Sequence, residues 1–201
     1  MPWEGLNWGG LALASYLIGT IPTAYLATRL LKAQDIRRLG DNNAGAANVF
    51  RSVGRSAGIL VFAVDVGKGV AVVLLARWWL DSVAAPMLAG VSAVAGHNWP
   101  VYLQLRGGRG AATGTGVLLA LVPWAAAPLS LLSLVVLFLT KSTVKALACL
   151  FVPLAFIAWL LDYSPSLVLF SIGLPVLVGI SHYLSIRRKP MPAAPTYTRP
   201  A

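Results

Sequence analysis

Three short polar segments of this 201-residue chain carry residue types suited to holding an anion. The first is Gly40-Asp-Asn-Asn-Ala-Gly-Ala-Ala-Asn48-Val-Phe-Arg51, where Gly and Asn alternate with small residues. Glycine reaches the backbone dihedrals that let several N–H groups converge on one anion. Arg37, Arg38, Arg51 and Arg55 surround the segment, and guanidinium forks match phosphate oxygens. Arginines alone would mark only a basic loop beside a membrane; with the Gly/Asn cluster they point to anion binding. The second segment is Gly96-His-Asn-Trp-Pro100 followed by Arg106-Gly-Gly-Arg-Gly110-Ala-Ala-Thr113-Gly114. Its Gly-rich turn opens an apolar run, so helix N-terminal amides and the helix dipole would face an anion beside two arginines. Gly110-x-x-x-Gly114 reads equally as a close helix-packing motif. The third segment is His182-Tyr-Leu-Ser185-Ile-Arg187-Arg188, with His182 and Ser185 on one helix face. A snorkelling basic helix end is the plainer reading of that segment. Asp65 and Lys68, i and i+3 within an apolar run, read either as mutual partners or as a functional intramembrane pair.

Several known chemistries are missing. The Gly-rich turn is neither a Walker A loop nor G-x-G-x-x-G. There is no G-x-S-x-G elbow. The pattern His-x-x-x-x-Asp of one large class of glycerolipid acyltransferases fails at Tyr102, five residues after His97. With His97 and His182 the only histidines and Cys149 the only cysteine, a Cys/His metal cage is excluded. No metal or other cofactor is expected. An enzyme built from these residues would work by positioning phosphates and stabilising charge.

The elements that must position these segments are membrane helices. Hydrophobic residues make up 58 % and charged residues 11 %, against about 45–50 % and roughly 25 % in soluble domains. Mean hydropathy is +0.76. The 16 Lys+Arg against 6 Asp+Glu give a net charge of +10. In such an apolar chain that excess reads as cytoplasmic loops and contact with anionic lipid, not nucleic acid.

Apolar segments cover residues 5–28, 57–80, 84–105, 111–140, 144–161 and 166–186. Met1-Pro2-Trp3-Glu4 has no basic n-region, so the first segment reads as a retained helix, kinked at Pro22. The third places His97-Asn98 four or five residues short of its polar end. The stretch 111–140 is long for one span. Pro123 and Pro128 bracket Trp124–Ala127, which suggests a turn between two helices. Two helices there keep Lys141 and Lys145 on the same side as the other basic loops, leaving Arg77 alone near the opposite end. The expected fold is therefore an all-α integral membrane protein of seven transmembrane helices, N-terminus outside and C-terminus cytoplasmic. Residues 1–189 form one polytopic domain, and 190–201 a Pro-rich disordered tail.

Gly19-Thr-Ile-Pro-Thr-Ala-Tyr25, Asp35-Ile-Arg37, the 40–51 loop, Asp65-x-x-Lys68-Gly69 and above all Gly96-His-Asn-Trp-Pro100 with Arg106-Gly-Gly-Arg-Gly110-x-Ala-Thr113 resemble the bacterial acyl-phosphate:glycerol-3-phosphate acyltransferases of the PlsY type. The likeness runs in order over roughly residues 10–189. It implies a seven-helix inner-membrane enzyme with its site on the cytoplasmic side, using neither metal nor thioester. The enzyme transfers a fatty acyl group from acyl phosphate to the 1-hydroxyl of glycerol 3-phosphate, giving lysophosphatidic acid and phosphate. Its partners are those two substrates and membrane lipids, with no nucleic acid, and it works as a monomer. Carried over position by position, Asn43, Gly45 and Asn48 bind phosphate with Arg51 alongside. Arg109 supplies the basic group where the family usually has Lys, with Thr113 close by, and His182 contacts the glycerol phosphate. The catalytic candidates are then His97, Asn98, Arg109 and His182. The substrate-binding candidates are Asp41, Asn43, Gly45, Asn48, Arg51, Lys68, Arg106, Gly107, Gly108, Gly110, Thr113 and Ser185.

The first motif diverges. Asp41, Asn42 and Ala47 stand where the family usually has Ser, Gly and Thr, and Ser185 where it has Asn. A carboxylate near a phosphoryl dianion is repulsive, by about 4 kcal/mol for unit charges at 4 Å with an effective dielectric of 20. Asp41 is therefore expected to be paired or turned away, with Arg37, Arg38 and Arg51 the nearest partners in sequence; the alternative is a general base for the acceptor hydroxyl, with Ala47 leaving room for a water. The alternative to an enzyme is a non-catalytic paralogue that binds or carries a lipid phosphate.

Overall fold

The computed structural model describes residues 2–188. The tail expected to be disordered, 190–201, lies outside them. Among the described residues nine α-helices follow in order: α1 Pro2–Thr20, α2 Thr23–Lys32, α3 Ala46–Ser52, α4 Arg55–Trp79, α5 Ala84–Asn98, α6 Ala111–Leu121, α7 Pro123–Thr140, α8 Thr143–Leu160 and α9 Pro165–Ile186. Short 3-10 turns cover Ile36–Arg38 and Val101–Leu103. All regular structure among the described residues is helical. Among the described residues, five stretches are long and apolar enough to cross a bilayer: Asn7–Lys32, Arg55–Trp79, Pro123–Thr140, Thr143–Leu160 and Pro165–Ile186.

The first apolar segment breaks at Pro22 rather than kinking. Proline cannot donate an N–H and crowds the preceding turn. Ile21 and Pro22 leave the helix, and α2 restarts at Thr23. The Ile21 carbonyl so freed accepts a hydrogen bond of 2.6 Å from Lys68 Nζ on α4. A backbone group exposed at membrane depth must find such a partner.

The third segment ends earlier than its apolar pattern implies. Trp99 precedes Pro100, a position that disfavours helical dihedrals. Trp99 takes φ −132°, ψ 58°, and α5 stops at Asn98. His97 and Asn98 therefore occupy the last turn of the helix, which corrects the expectation that they lie a turn or more inside it.

The segment 111–140 does form two helices. Their junction is Val122, at φ −129°, ψ 59°, before Pro123, which opens α7 at a position where proline fits. The expected turn at Trp124–Ala127 is instead helical, and Pro128 lies inside α7, as Pro153 and Pro175 lie inside α8 and α9.

Helix α1 packs on α5, α4 on α5 and α6, α7 on α8, and α8 on α9. The α4–α6 crossing brings backbone against backbone, as does the α1–α5 crossing at Gly19 and Gly96. A Cβ on Gly69 would strike the Thr113 carbonyl, and one on Gly116 the Val66 carbonyl. Gly114, by contrast, meets only Val178 and Leu174 of α9, and Val94, at ordinary distances. The close-packing glycine of α6 is Gly116, not the second member of Gly110-x-x-x-Gly114. The largest apolar cluster joins α6, α7, α8 and α9, with Val117, Leu121, Leu150, Leu154 and Leu174 buried. A second joins α1, α4 and α5 through Leu11, Val72, Ala85 and Ala89.

Candidate functional site

All three polar segments meet at one end of the bundle. The first is held in shape from within. Asp35 caps the 3-10 turn, its Oδ1 accepting from the Arg37 backbone N–H at 2.9 Å. The Arg37 guanidinium closes on the same carboxylate, Nε–Oδ1 at 3.0 Å and Nη2–Oδ2 at 2.7 Å. Its remaining arm, Nη1, donates to the Leu103 carbonyl at 2.8 Å and so ties the first segment to the second. Arg37 is thereby committed to Asp35 and Leu103, not to the anion-facing set in which its sequence position had placed it. Burial would raise the Asp35 carboxyl, but the Arg37 hydrogen bonds and charge, with Arg38 behind them, hold it below its ordinary value.

Asn48 is fully buried. Its Nδ2 donates to the carbonyls of Ile36, Leu39 and Asn43 at 3.2, 2.8 and 3.0 Å. Its Oδ1 accepts from Ser52 Oγ at 3.0 Å. The side chain thus binds the loop to itself. Gly40, in the left-handed region at φ +54°, lets the chain pass against it, where a Cβ would strike Asn48 Oδ1.

The second segment folds back over the end of α5. Gly107 N–H donates to the Asn98 carbonyl at 3.1 Å and Gly108 N–H to the His97 carbonyl at 3.0 Å. Gly108 lies on the His97 ring so closely that a Cβ would collide with Nε2. Gly110, at φ +80°, then opens α6. That left-handed conformation suits glycine. A Cβ there would also sit 2.8 Å from Asn98 Oδ1. Among the described residues, the buried Asn98 amide and the buried Thr113 hydroxyl have no hydrogen-bond partner. Buried polar atoms are seldom left so. These two flank the N-terminus of α6, where unpaired amides and the helix dipole favour an anion.

Asp41 and Arg109 join the segments. Asp41 Oδ2 is 3.1 Å from Arg51 Nη2 and 3.3 Å from Arg109 Nη1. Of the partners proposed for Asp41 from sequence, Arg51 is the one it meets. Arg109, 68 residues away, could not be foreseen from spacing. Arg109 Nε donates to Ser185 Oγ on α9 at 3.3 Å. His182, one turn earlier on α9, is near enough to Arg109 and Asp41 to feel both charges. Arg106 lies on the same turn, and Arg188 Nη1 reaches the Leu105 carbonyl beside it at 2.8 Å.

The Asp65–Lys68 pair sits deeper. Lys68 Nζ is 2.6 Å from Asp65 Oδ1 and also holds the Ile21 carbonyl, so the two charges do satisfy each other. They also adjoin the site, because His97 Nδ1 is 3.9 Å from Asp65 Oδ1. Asp65, His97 and Gly108 line a small pocket with Thr20, Pro22 and Tyr25 at the α1–α2 break. Spacing gave no hint of two tyrosine ties around it. Tyr16 donates to the Trp99 carbonyl at 2.7 Å, and Tyr102 to the Thr20 carbonyl.

Fold and site define a multi-pass helical membrane protein that gathers guanidinium groups around a glycine-opened helix N-terminus. The family model described as Glycerol-3-phosphate acyltransferase matches residues 10–189, and the chain belongs to that family. It is 43 % identical over 176 residues to Glycerol-3-phosphate acyltransferase 4 of Dehalococcoides mccartyi, covering 88 % of this chain and 95 % of that protein. Its fold is similar, with a TM-score of 0.78, 28 % identity and 90 % of each chain covered, to a crystal structure of PlsY (YgiH), an integral membrane glycerol 3-phosphate acyltransferase in its glycerol 3-phosphate form. The lysophosphatidic acid form of that protein matches with a TM-score of 0.74, 27 % identity and the same coverage.

Proposed function

We propose that the protein transfers a fatty acyl group from acyl phosphate to the 1-hydroxyl of glycerol 3-phosphate. The relatives' named activity supports the acceptor. The observation that carries the proposal is the convergence of Arg51, Arg109, His182 and Ser185, from three distant segments, beside the α6 N-terminus. Two anionic substrates need two anion-holding groups of this kind. Arg51 and Arg109 bind phosphate oxygens, and the α6 amides with Thr113 and Asn98 take the remaining ones. His182 and Ser185 orient the glycerol phosphate.

The hydroxyl oxygen attacks the acyl carbonyl carbon, and the carbon–oxygen bond to phosphate breaks. Lysophosphatidic acid and inorganic phosphate result, with the hydroxyl proton passing to a substrate phosphate oxygen. The donor arrives activated, so no covalent intermediate on the protein is needed. Protein groups act by alignment and by stabilising charge as phosphate leaves. His97, fixed between Asp65 and Gly108, borders this site. Asn48 acts by holding the first loop in shape rather than by touching substrate, since its amide is spent on three carbonyls.

The same proposal places the site on the cytoplasmic side of the inner membrane, in one domain of seven spans working as a monomer. Chain direction supports that topology. Helix α9 ends at the site and joins α8 through residues 161–164, so α8 begins at the site end, with Lys141 and Lys145. Arg77 lies at the far end of α4, donating to the Ala120 carbonyl at 3.0 Å. Purified protein given acyl phosphate should release phosphate only when glycerol 3-phosphate is added; binding of both without release would favour a non-catalytic paralogue.

A further inference from the structure

We infer that Asp41 is a built-in competitor of phosphate, a carboxylate that clamps Arg51 and Arg109 together and must be displaced by anionic substrate. The inference rests on the proposed phosphate role of those two arginines. Asp41 Oδ2 is shared between them, at 3.1 Å from Arg51 Nη2 and 3.3 Å from Arg109 Nη1. One carboxylate oxygen bridging two guanidinium groups mimics the way a phosphate oxygen would be held. It also removes one positive charge from the pair. An arriving phosphate therefore meets less net charge and must break two contacts.

The clamp is built to open. Asp41 is about one-third exposed and Arg51 half exposed, and such pairs contribute little each. Asp41 follows Gly40 and precedes Asn42, both in left-handed conformations, so its backbone is set by the turn and not by the ion pairs. The Asp41 N–H leans on Asn48 Oδ1 at 3.4 Å, which keeps the residue at the loop's edge when its side chain lets go. The other end of the clamp is anchored, because Arg109 also holds Ser185 on α9. The consequence is an enzyme tuned to weaker phosphate affinity, with Asp41 acting on KM through the arginines and taking no part in bond making.

Inorganic phosphate is the probe, titrated calorimetrically into the full chain in detergent, with Asp41→Asn, Asp41→Ser and Asp41→Glu compared. Loss of the charge should tighten phosphate binding roughly three- to tenfold in both neutral variants. The gain should shrink in high salt, which screens exposed charges. Asp41→Glu should stay within twofold of the parent, because the competing charge is kept. In turnover, the neutral variants should lower KM for glycerol 3-phosphate or acyl phosphate while kcat stays within a few-fold. Unchanged or weaker phosphate binding in both neutral variants would overturn the inference, as would a collapse of kcat with binding unaltered, which would make Asp41 a base. If phosphate binding tightens as expected but neither the parent nor any variant turns over, the clamp stands and the acyltransferase reading falls; tighter binding with kcat lost only in the neutral variants would overturn the claim that Asp41 takes no part in bond making.

Discussion

Arg109 touches Asp41 of the first segment and Ser185 of the third while standing in the second, so its loss should be felt at all three. A charge-assisted contact to phosphate is worth about 1.5–3 kcal/mol, more if it strengthens in the transition state. Arg109→Ala should therefore cut kcat/KM by at least tenfold to a hundredfold with the thermal midpoint nearly unchanged. Arg109→Lys should keep much of the rate, because one positive charge still faces the phosphate. A fully active Arg109→Ala would remove this residue from the mechanism. Arg37 is the opposite case. Its arms are spent on Asp35 and Leu103, and it should act on stability. The Asp35 carboxyl is held below its ordinary value, so its ion pair stabilises the fold above the ordinary carboxylate range and loses that contribution as pH falls through the lowered value. Asp35→Asn should lower the thermal midpoint at neutral pH, and the gap to the parent should narrow on acidification; a constant gap would contradict the assignment. From sequence alone Arg37 and Arg51 look alike. What separates them is a carbonyl 66 residues away and a carboxylate two residues away, and only the second is visible in the sequence.

Helix existence was legible from the apolar runs, because a chain in lipid satisfies its backbone within helices. Helix ends were legible only where proline chemistry was followed closely. At Pro100 and Pro123 the residue before the proline sets the boundary, so α5 ends before Trp99-Pro100 and α6 before Val122-Pro123, whereas Pro128, Pro153 and Pro175 are carried inside helices. Apolar runs cross those points without a change of hydropathy, so a hydropathy reading overshoots to Leu105; the second junction is displaced into Trp124–Ala127 when Pro128 is read as a breaker, whereas α7 carries it inside the helix. The glycine motif misled for a different reason. Spacing identifies a small-residue stripe but not which helix lies against it, and α6 turns Gly116, not Gly114, toward α4. Gly116→Ala should destabilise the protein by about 1–3 kcal/mol, as overpacking does. Gly114→Ala, whose nearest neighbour would be a Val178 methyl at 3.4 Å, should be nearly neutral. Thermal midpoints in one detergent compare the two directly; equal losses would show that the α4–α6 crossing is not the tight one.

The molecule as a whole is a helical bundle with its chemistry gathered at one end, and the net charge of +10 made that end predictable in kind though not in geometry. The bonds that close the site span 66 to 83 residues, beyond the reach of any local pattern. The proposed topology rests on the positive-inside bias. In a Cys149→Ala background, cysteines at the exposed Gln34 and at Ser142 should resist an impermeant thiol reagent in intact cells, while one at the exposed Asp81 should label. Labelling at Ser142 alone would break the seven-span arrangement. The most direct measurement of the central claim uses purified protein in proteoliposomes with glycerol 3-phosphate and either acyl phosphate or an acyl thioester, following lysophosphatidic acid and free phosphate together. Acyl transfer from acyl phosphate predicts one phosphate released per lysophosphatidic acid formed, none without glycerol 3-phosphate, and no product from the thioester. Product from the thioester alone, or no lysophosphatidic acid from either donor by a folded protein, would contradict it.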